Sequence, residues 1–243
     1  MGILAIEELT FGVEDREKSR QFLADFGLHP AESDRAGSDL FTTLNSSKIY
    51  LYDHDDPRLP PAFEAGSTLR EVVWAVESES DLANLSDLLK DEPNFKAEKD
   101  SVECDDPNGM RIRFRKSETV EVTLKVPGIN QYGDIRRIDE ASPVYQKAEP
   151  IRVGHVVFFT PDLVTTQKFY EEKLGFHLSD AYNNRGAFLR CQESGYHHDL
   201  FLLKLPNRES TGLNHVAFVV RDIHEVIGGG INMNRTEWST FVG

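Results

Sequence analysis

Three histidines fall within "GYHHDLFLLKLPNRESTGLNHVAFVV", residues 195–220: His197, His198 and His215. A fourth, His155, stands in "GHVVFFTPDL" at the head of another apolar run. Imidazole ligates transition metals when neutral and exchanges protons near neutral pH. Position indicates which of these side chains could act together. His155 precedes Asp162 by seven residues, and His215 precedes Asp222 by seven. Each apolar run reads as a strand, and each aspartate as the cap or first-turn acid of a following helix. Two imidazoles at one register of two repeated strands can meet one cation across a shared cup. Joined by a carboxylate, they make the facial set that favours non-haem Fe(II) and leaves adjacent coordination positions open.

The elements that would position them recur. "EELTFGVEDREKSRQFLADFGLHP" and "GHVVFFTPDLVTTQKFYEEKLGFHL" both read as strand, capping aspartate (Asp15, Asp162), amphipathic helix, then glycine (Gly27, Gly175) and a second strand. Phe22 and Phe26 share a face of one helix; Phe169, Tyr170 and Leu174 do so in the other. "REVVWAVESESDLANLSDLLKDE" repeats the theme with Ser80 as cap and Leu82, Leu85 and Leu89 on one stripe. "NHVAFVVRDIHEVIGGG" repeats it with Ile223, Val226 and Ile227, before Gly228, Gly229 and Gly230 make further regular helix costly. Between these openings, "DLFTTL", "KIYLYD", "MRIRFRK", "AFLRC" and "DLFLLKL" alternate like strands. The unit is β-α-β-β-β, with copies at about 3–57, 68–116, 151–205 and 211 onward. The expected fold class is α+β: four βαβββ modules paired into two domains, the fourth incomplete in this chain. The domains are 1–116, non-catalytic, and 151–243, metal-binding, joined by a surface crossover at 117–150.

The 243 residues suffice for such cores. A net charge of −14 argues against nucleic acid or an anionic membrane as partner. The start "MGILAIEELTFGVED" lacks a basic region, and no apolar run is long enough to cross a bilayer. Two cysteines, Cys104 and Cys191, make no disulfide framework and suit a cytoplasmic protein with reduced thiols. Cys191 has no evident paired base and is expected in the core.

In order and spacing, "GHVVFFTPDLVTTQKFYEEKLGF", "HHDLFLL" and "GLNHVAFVV" resemble the vicinal-oxygen-chelate superfamily of glyoxalases, bleomycin-resistance proteins and dioxygenases, and specifically its two-domain type I extradiol ring-cleavage enzymes. The resemblance implies Fe(II)-dependent cleavage of a small catechol-type substrate by dioxygen, in a homo-oligomer. His155 and His215 would hold the metal, and His198 would stand beside it to stabilise oxygen species and move protons. His197 should point the opposite way by strand alternation. Asp199 falls where glyoxalase-like relatives carry a carboxylate ligand and could be a further donor, although a structural role is the commoner outcome. A genuine Asp199 ligand would favour a glyoxalase-like, non-oxidative enzyme using Zn(II), Ni(II) or Mn(II). A metal-free ligand-binding protein of the bleomycin-resistance type is the third possibility.

The resemblance places the completing glutamate on the last strand of the fourth module, beyond residue 243, so the chain is expected to be truncated. Asn232, Glu237 and Trp238 are poor substitutes. In the N-terminal half the seven-residue offset falls on Glu8 and Glu71, expected at the surface or between domains, and the equivalent of the last strand presents the cation Arg113. No metal is expected there. Phe159, Phe188 and Phe218 could line a cup, though core packing is their usual fate. His29 and His177 hold equivalent structural places after helix-ending turns, whereas His54 and His224 are expected in solvent.

Overall fold

A computed structural model describes residues 2–125, 141–193, 195–236 and 238. Residues 3–116 form one eight-stranded sheet. Its first module is β1 (Ile3–Val13), α1 (Arg16–Phe26), β2 (His29–Ala31), β3 (Asp39–Thr42) and β4 (Lys48–Asp53). Its second is β5 (Thr68–Val76), α2 (Glu79–Leu89), β6 (Lys96–Ala97), β7 (Ser101–Asp105) and β8 (Arg111–Lys116). The order β2-β3-β4-β1-β5-β8-β7-β6 sets the opening strands of the two modules side by side and antiparallel. In the second sheet, β9 (Arg152–Phe159), α3 (Leu163–Lys168), β10 (His177–Tyr182), β11 (Gly186–Arg190) and β12 (Leu200–Leu203) form the third module. β13 (Gly212–Val219) then pairs with β9, giving the order β10-β11-β12-β9-β13, and leads into α4 (Ile223–Arg235). The fold is thus α+β and built on repeated βαβββ modules. Of the fourth, the described residues comprise β13 and α4.

Local chemistry explains the helix boundaries. The carboxylates of Asp15, Asp162 and Asp222 accept the N–H of the residue three positions on, satisfying donors that the first turn leaves free. In α2 the cap is Ser78 and not Ser80: the Ser78 hydroxyl accepts from the Asp81 N–H, while Ser80 lies inside the helix. α3 continues as a π-helical turn over Phe169–Lys173, which buries Phe169 and Tyr170. Leu82, Leu85 and Leu89 are buried as their stripe suggested.

α4 departs from expectation in two ways. It runs straight through Gly228–Gly230, and Ile223, Val226 and Ile227 are exposed while Glu225, Gly228 and Met233 face inward. The glycines serve packing: a Cβ on Gly228 would stand 2.5 Å from the Tyr145 carbonyl oxygen, and one on Gly229 would stand 2.9 Å from Ala148 Cβ. The chain segment around residues 145–148 lies against the helix and compensates its low propensity. His29 and His177 do open equivalent strands, after Gly27 at φ 114° and Gly175 at φ 73°. His54 is exposed in its turn, whereas His224 is half-buried with its Nε2 enclosed.

One continuous apolar cluster joins the two sheets, including Leu9, Leu69, Trp74 and Phe114 from the first and Val156, Phe158, Leu200 and Leu202 from the second. Trp74 meets Phe176 edge-on at 5.1 Å. The expected crossover is described only at its two ends, since 126–140 fall outside the described residues. No described helix is long and apolar enough to cross a membrane.

Candidate metal centre

β9 and β13 are antiparallel neighbours that pair Ala217 with His155 and His215 with Val157. β1 and β5 do the same in the first sheet, pairing Val73 with Glu8 and Glu71 with Thr10. The seven-residue offset therefore corresponds to one spatial register in both halves. That register brings the two imidazoles together: His155 Nε2 and His215 Nε2 are 3.1 Å apart. Two nitrogens bound cis, each about 2.1 Å from one ion, would be separated by about 3 Å. The pair fits two adjacent positions on a single metal.

Their protonation also fits. Burial, the neighbouring His198 and His215 rings and Arg152 push His155 down to about 4. His198 is likewise pushed down to about 4, by burial and by His197 and His215. Burial lowers His215 as well. All three are neutral at physiological pH, the form that ligates. Asn214 Oδ1 accepts from His215 Nδ1–H at 2.6 Å, which fixes the tautomer and leaves the Nε2 lone pair on the side facing His155. Sequence reasoning missed this residue; its place directly before a strand histidine was the available signal.

His198 lies against His155, with ring centroids 4.2 Å apart. The adjacent histidines do not occupy a strand, because β12 begins only at Leu200. Strand alternation consequently does not send His197 to the opposite face. Its Nδ1 is 3.0 Å from His198 Nδ1, and both rings pack edge-on against Phe188, at 5.2 and 4.9 Å. Phe188 in turn stacks on Phe201 at 3.9 Å and forms an aromatic wall beside the histidines. Phe159 instead carries the Arg208 guanidinium on its face, and Phe218 packs on Phe26.

Asp199 is engaged elsewhere. Its carboxylate accepts the Cys191 N–H at 3.0 Å and lies 3.9 Å from Arg152 Nη1. Burial raises its pKa and pushes the Cys191 thiol well above the usual range, so that thiol is no nucleophile. Among the described residues no three His, Cys, Asp or Glu side chains converge on one point, so the donor set there is His155 and His215. Asn232 Nδ2 donates to the Asp25 carbonyl and Trp238 Nε1 to the Asp25 carboxylate, tying both to α1; Glu237 lies outside the described residues.

Glu8 and Glu71 are not surface residues. They are 3% and 4% exposed, and guanidinium groups surround them. Glu8 pairs with Arg35 and with Arg115 at 3.1 Å; Glu71 pairs with Arg113 at 2.9 Å and Arg35 at 3.7 Å. The first cup thus carries ion pairs at the register where the second carries imidazoles.

Residues 152–228, which contain the histidine pair, match the family model "Glyoxalase/Bleomycin resistance protein/Dioxygenase superfamily". The similarity to that superfamily is thus carried by this unit of the chain. A curated relative, metapyrocatechase 2 of Cupriavidus necator, is 25% identical over 237 residues, spanning 97% of this chain and 71% of its own length. Among solved structures, a homoprotocatechuate 2,3-dioxygenase from Arthrobacter globiformis superposes with a TM-score of 0.68 at 22% identity, covering 98% of this chain and 70% of its own. A Mn(II)-bound glyoxalase from Novosphingobium aromaticivorans gives 0.69 at 20% identity, covering 96% and 71%. At such identities these structures establish the shared fold, and both oxidative and non-oxidative enzymes share it.

Proposed function

We propose that the protein is an extradiol-type dioxygenase that opens a small catechol-type ring with dioxygen, using Fe(II) held by His155 and His215. The observation that carries this reading is the 3.1 Å approach of two neutral Nε2 atoms from register-matched strands. The similarity to a metapyrocatechase supports the same choice. Fe(II) bound there would hold catechol oxygens and dioxygen side by side and let electrons pass between them.

The chain's own residues supply the setting. Asn214 orients His215, so that the Nε2 lone pair is presented without rearrangement. His198, neutral and packed on His155, can accept a proton from a substrate hydroxyl. Its Nδ1 is occupied by His197, which leaves Nε2 for that exchange. Phe188 and Phe201 exclude water on one side and offer an aromatic face to a planar ring. We include homo-oligomerisation and a cytoplasmic setting in this reading.

The same geometry accommodates Mn(II), Zn(II) or Ni(II). Asp199, engaged by Cys191 and Arg152, lends no support to a glyoxalase-like ligand set. The deciding experiment is anaerobic loading with Fe(II), followed by catechol-dependent oxygen uptake and metal analysis. We expect uptake in the wild type and loss of both iron and uptake in His155→Ala and His215→Ala. In His198→Gln we expect iron to be retained and turnover to fall by about 10²-fold or more. Isomerase activity with Zn(II) or Ni(II) and no oxygen uptake would establish the glyoxalase-like alternative. Ligand binding with no metal dependence would establish the bleomycin-resistance type.

A further inference from the structure

The first sheet encloses a second cup, with a cavity of about 470 Å³. Arg35, Arg58, Lys96, Arg111 and Arg113 line it, against two acidic groups, Glu71 and Glu103. With Glu8, Asp56 and Asp105, which pair with these cations from outside the lining, the charges balance, so any recognition of an anion rests on which donors the ion pairs leave unused. Glu8, Glu71 and Glu103 are at most 6% exposed and form the floor, with the guanidinium groups above them. Arg113 uses Nε and Nη2 on Glu71 and Glu103; Arg111 uses Nε and Nη1 on Asp105 and Glu103.

Arg113 Nη1 and Arg111 Nη2 have no hydrogen-bond partner among the described residues, yet neither is among the buried, unsatisfied atoms. Both side chains line the cavity, which is where a ligand would meet these unused donors. Both residues lie on β8 two positions apart, on one face of the strand. Lys96, 3.2 Å from Glu103, and Arg58, paired with Asp56, are the most exposed cations and stand at the rim, and Tyr52, Leu59 and Pro60 form an uncharged wall. Paired guanidinium donors are suited to carboxylate recognition, and the wall suits an organic body.

We propose that this N-terminal cup is a binding site for a small organic carboxylate, with the anion held by Arg111 and Arg113 and the rim cations assisting. The site is separate from His155 and His215 and does not depend on the reaction assigned there. Calorimetric titration of the full chain with phthalate, succinate and inorganic phosphate tests it. We expect saturable binding of the two carboxylates in the millimolar range or tighter, weakening as salt is raised. Binding should weaken about tenfold or more in the rim variant R58Q/K96Q, with the melting temperature of each protein recorded alongside. R58K/K96R should restore it, and His155→Ala should leave it unchanged. Three outcomes would overturn the proposal: no binding of either carboxylate at millimolar concentration, equal binding in R58Q/K96Q when that variant is folded, or loss of binding in His155→Ala. Phosphate binding without carboxylate binding would also overturn it, showing a simple anion site with no use for the wall.

Discussion

His155 and His215 meet through one atom each, and the smallest groups around them decide whether that contact can become ligation. Asn214→Ala removes the acceptor that fixes the His215 tautomer. Metal affinity should fall by about 10–100-fold, read by Fe(II) or Co(II) titration, with the fold unchanged by circular dichroism. An unchanged affinity would show that the strand alone orients the ring. The two thiols give a separate check on side-chain environment. Burial pushes Cys104 up to about 12 and raises Cys191 well above the usual thiol range. Neither should react with iodoacetamide in the native protein at pH 8, whereas both should react after denaturation. At this scale the histidine pair was legible because the same offset occurred twice. His197 was misread because alternation was applied to a bend, and Glu8 and Glu71 were misread because their partners, Arg35, Arg113 and Arg115, lie far away in sequence.

Strands and helices were legible wherever a repeat or a cap announced them, and α4 shows where such signals fail. Its three glycines imply a stop if only intrinsic propensity is counted. The helix persists because the segment around residues 145–148 occupies the space that side chains would take. The glycines should therefore respond differently to one mutation. A Cβ on Gly228 would meet the Tyr145 carbonyl oxygen at 2.5 Å, whereas one on Gly230 meets nothing within 4 Å. Gly230→Ala should stabilise the protein by about 0.5–1 kcal/mol through helix propensity alone. Gly228→Ala should destabilise it despite the same gain, because backbone must move. Urea denaturation of the two variants reads the opposite signs, and equal stabilisation would show that the close packing is absent in solution.

The joint between the sheets is the level that no local pattern could reveal, since its bonds link residues more than fifty positions apart. Tyr170 Oη donates to Asp106 Oδ2 at 2.9 Å, and Asn108 Nδ2 donates to Thr160 Oγ1 at 3.2 Å. Asp106 Oδ1 also accepts the backbone N–H of Asn108 and Met110. Even so, burial raises the Asp106 pKa from its ordinary 3.8 to about 6. The folded chain therefore holds a proton that the unfolded chain has released between those two values. The stability contributed by this proton is complete below the unfolded pKa and is lost as pH rises to about 6, at up to about 1.4 kcal/mol per pH unit. Asp106→Asn keeps an acceptor for the two backbone donors and presents an NH₂ to the Tyr170 oxygen, without the charge. Its stability relative to wild type should improve from pH 4 to pH 6 and then level off, in urea unfolding measured at each pH. Tyr170→Phe should cost about 1–3 kcal/mol at neutral pH, where the carboxylate loses its hydroxyl partner, and less at pH 4. A difference between Asp106→Asn and wild type that stays flat across this range would mean that water reaches the carboxylate, and that the two sheets do not seal it between them.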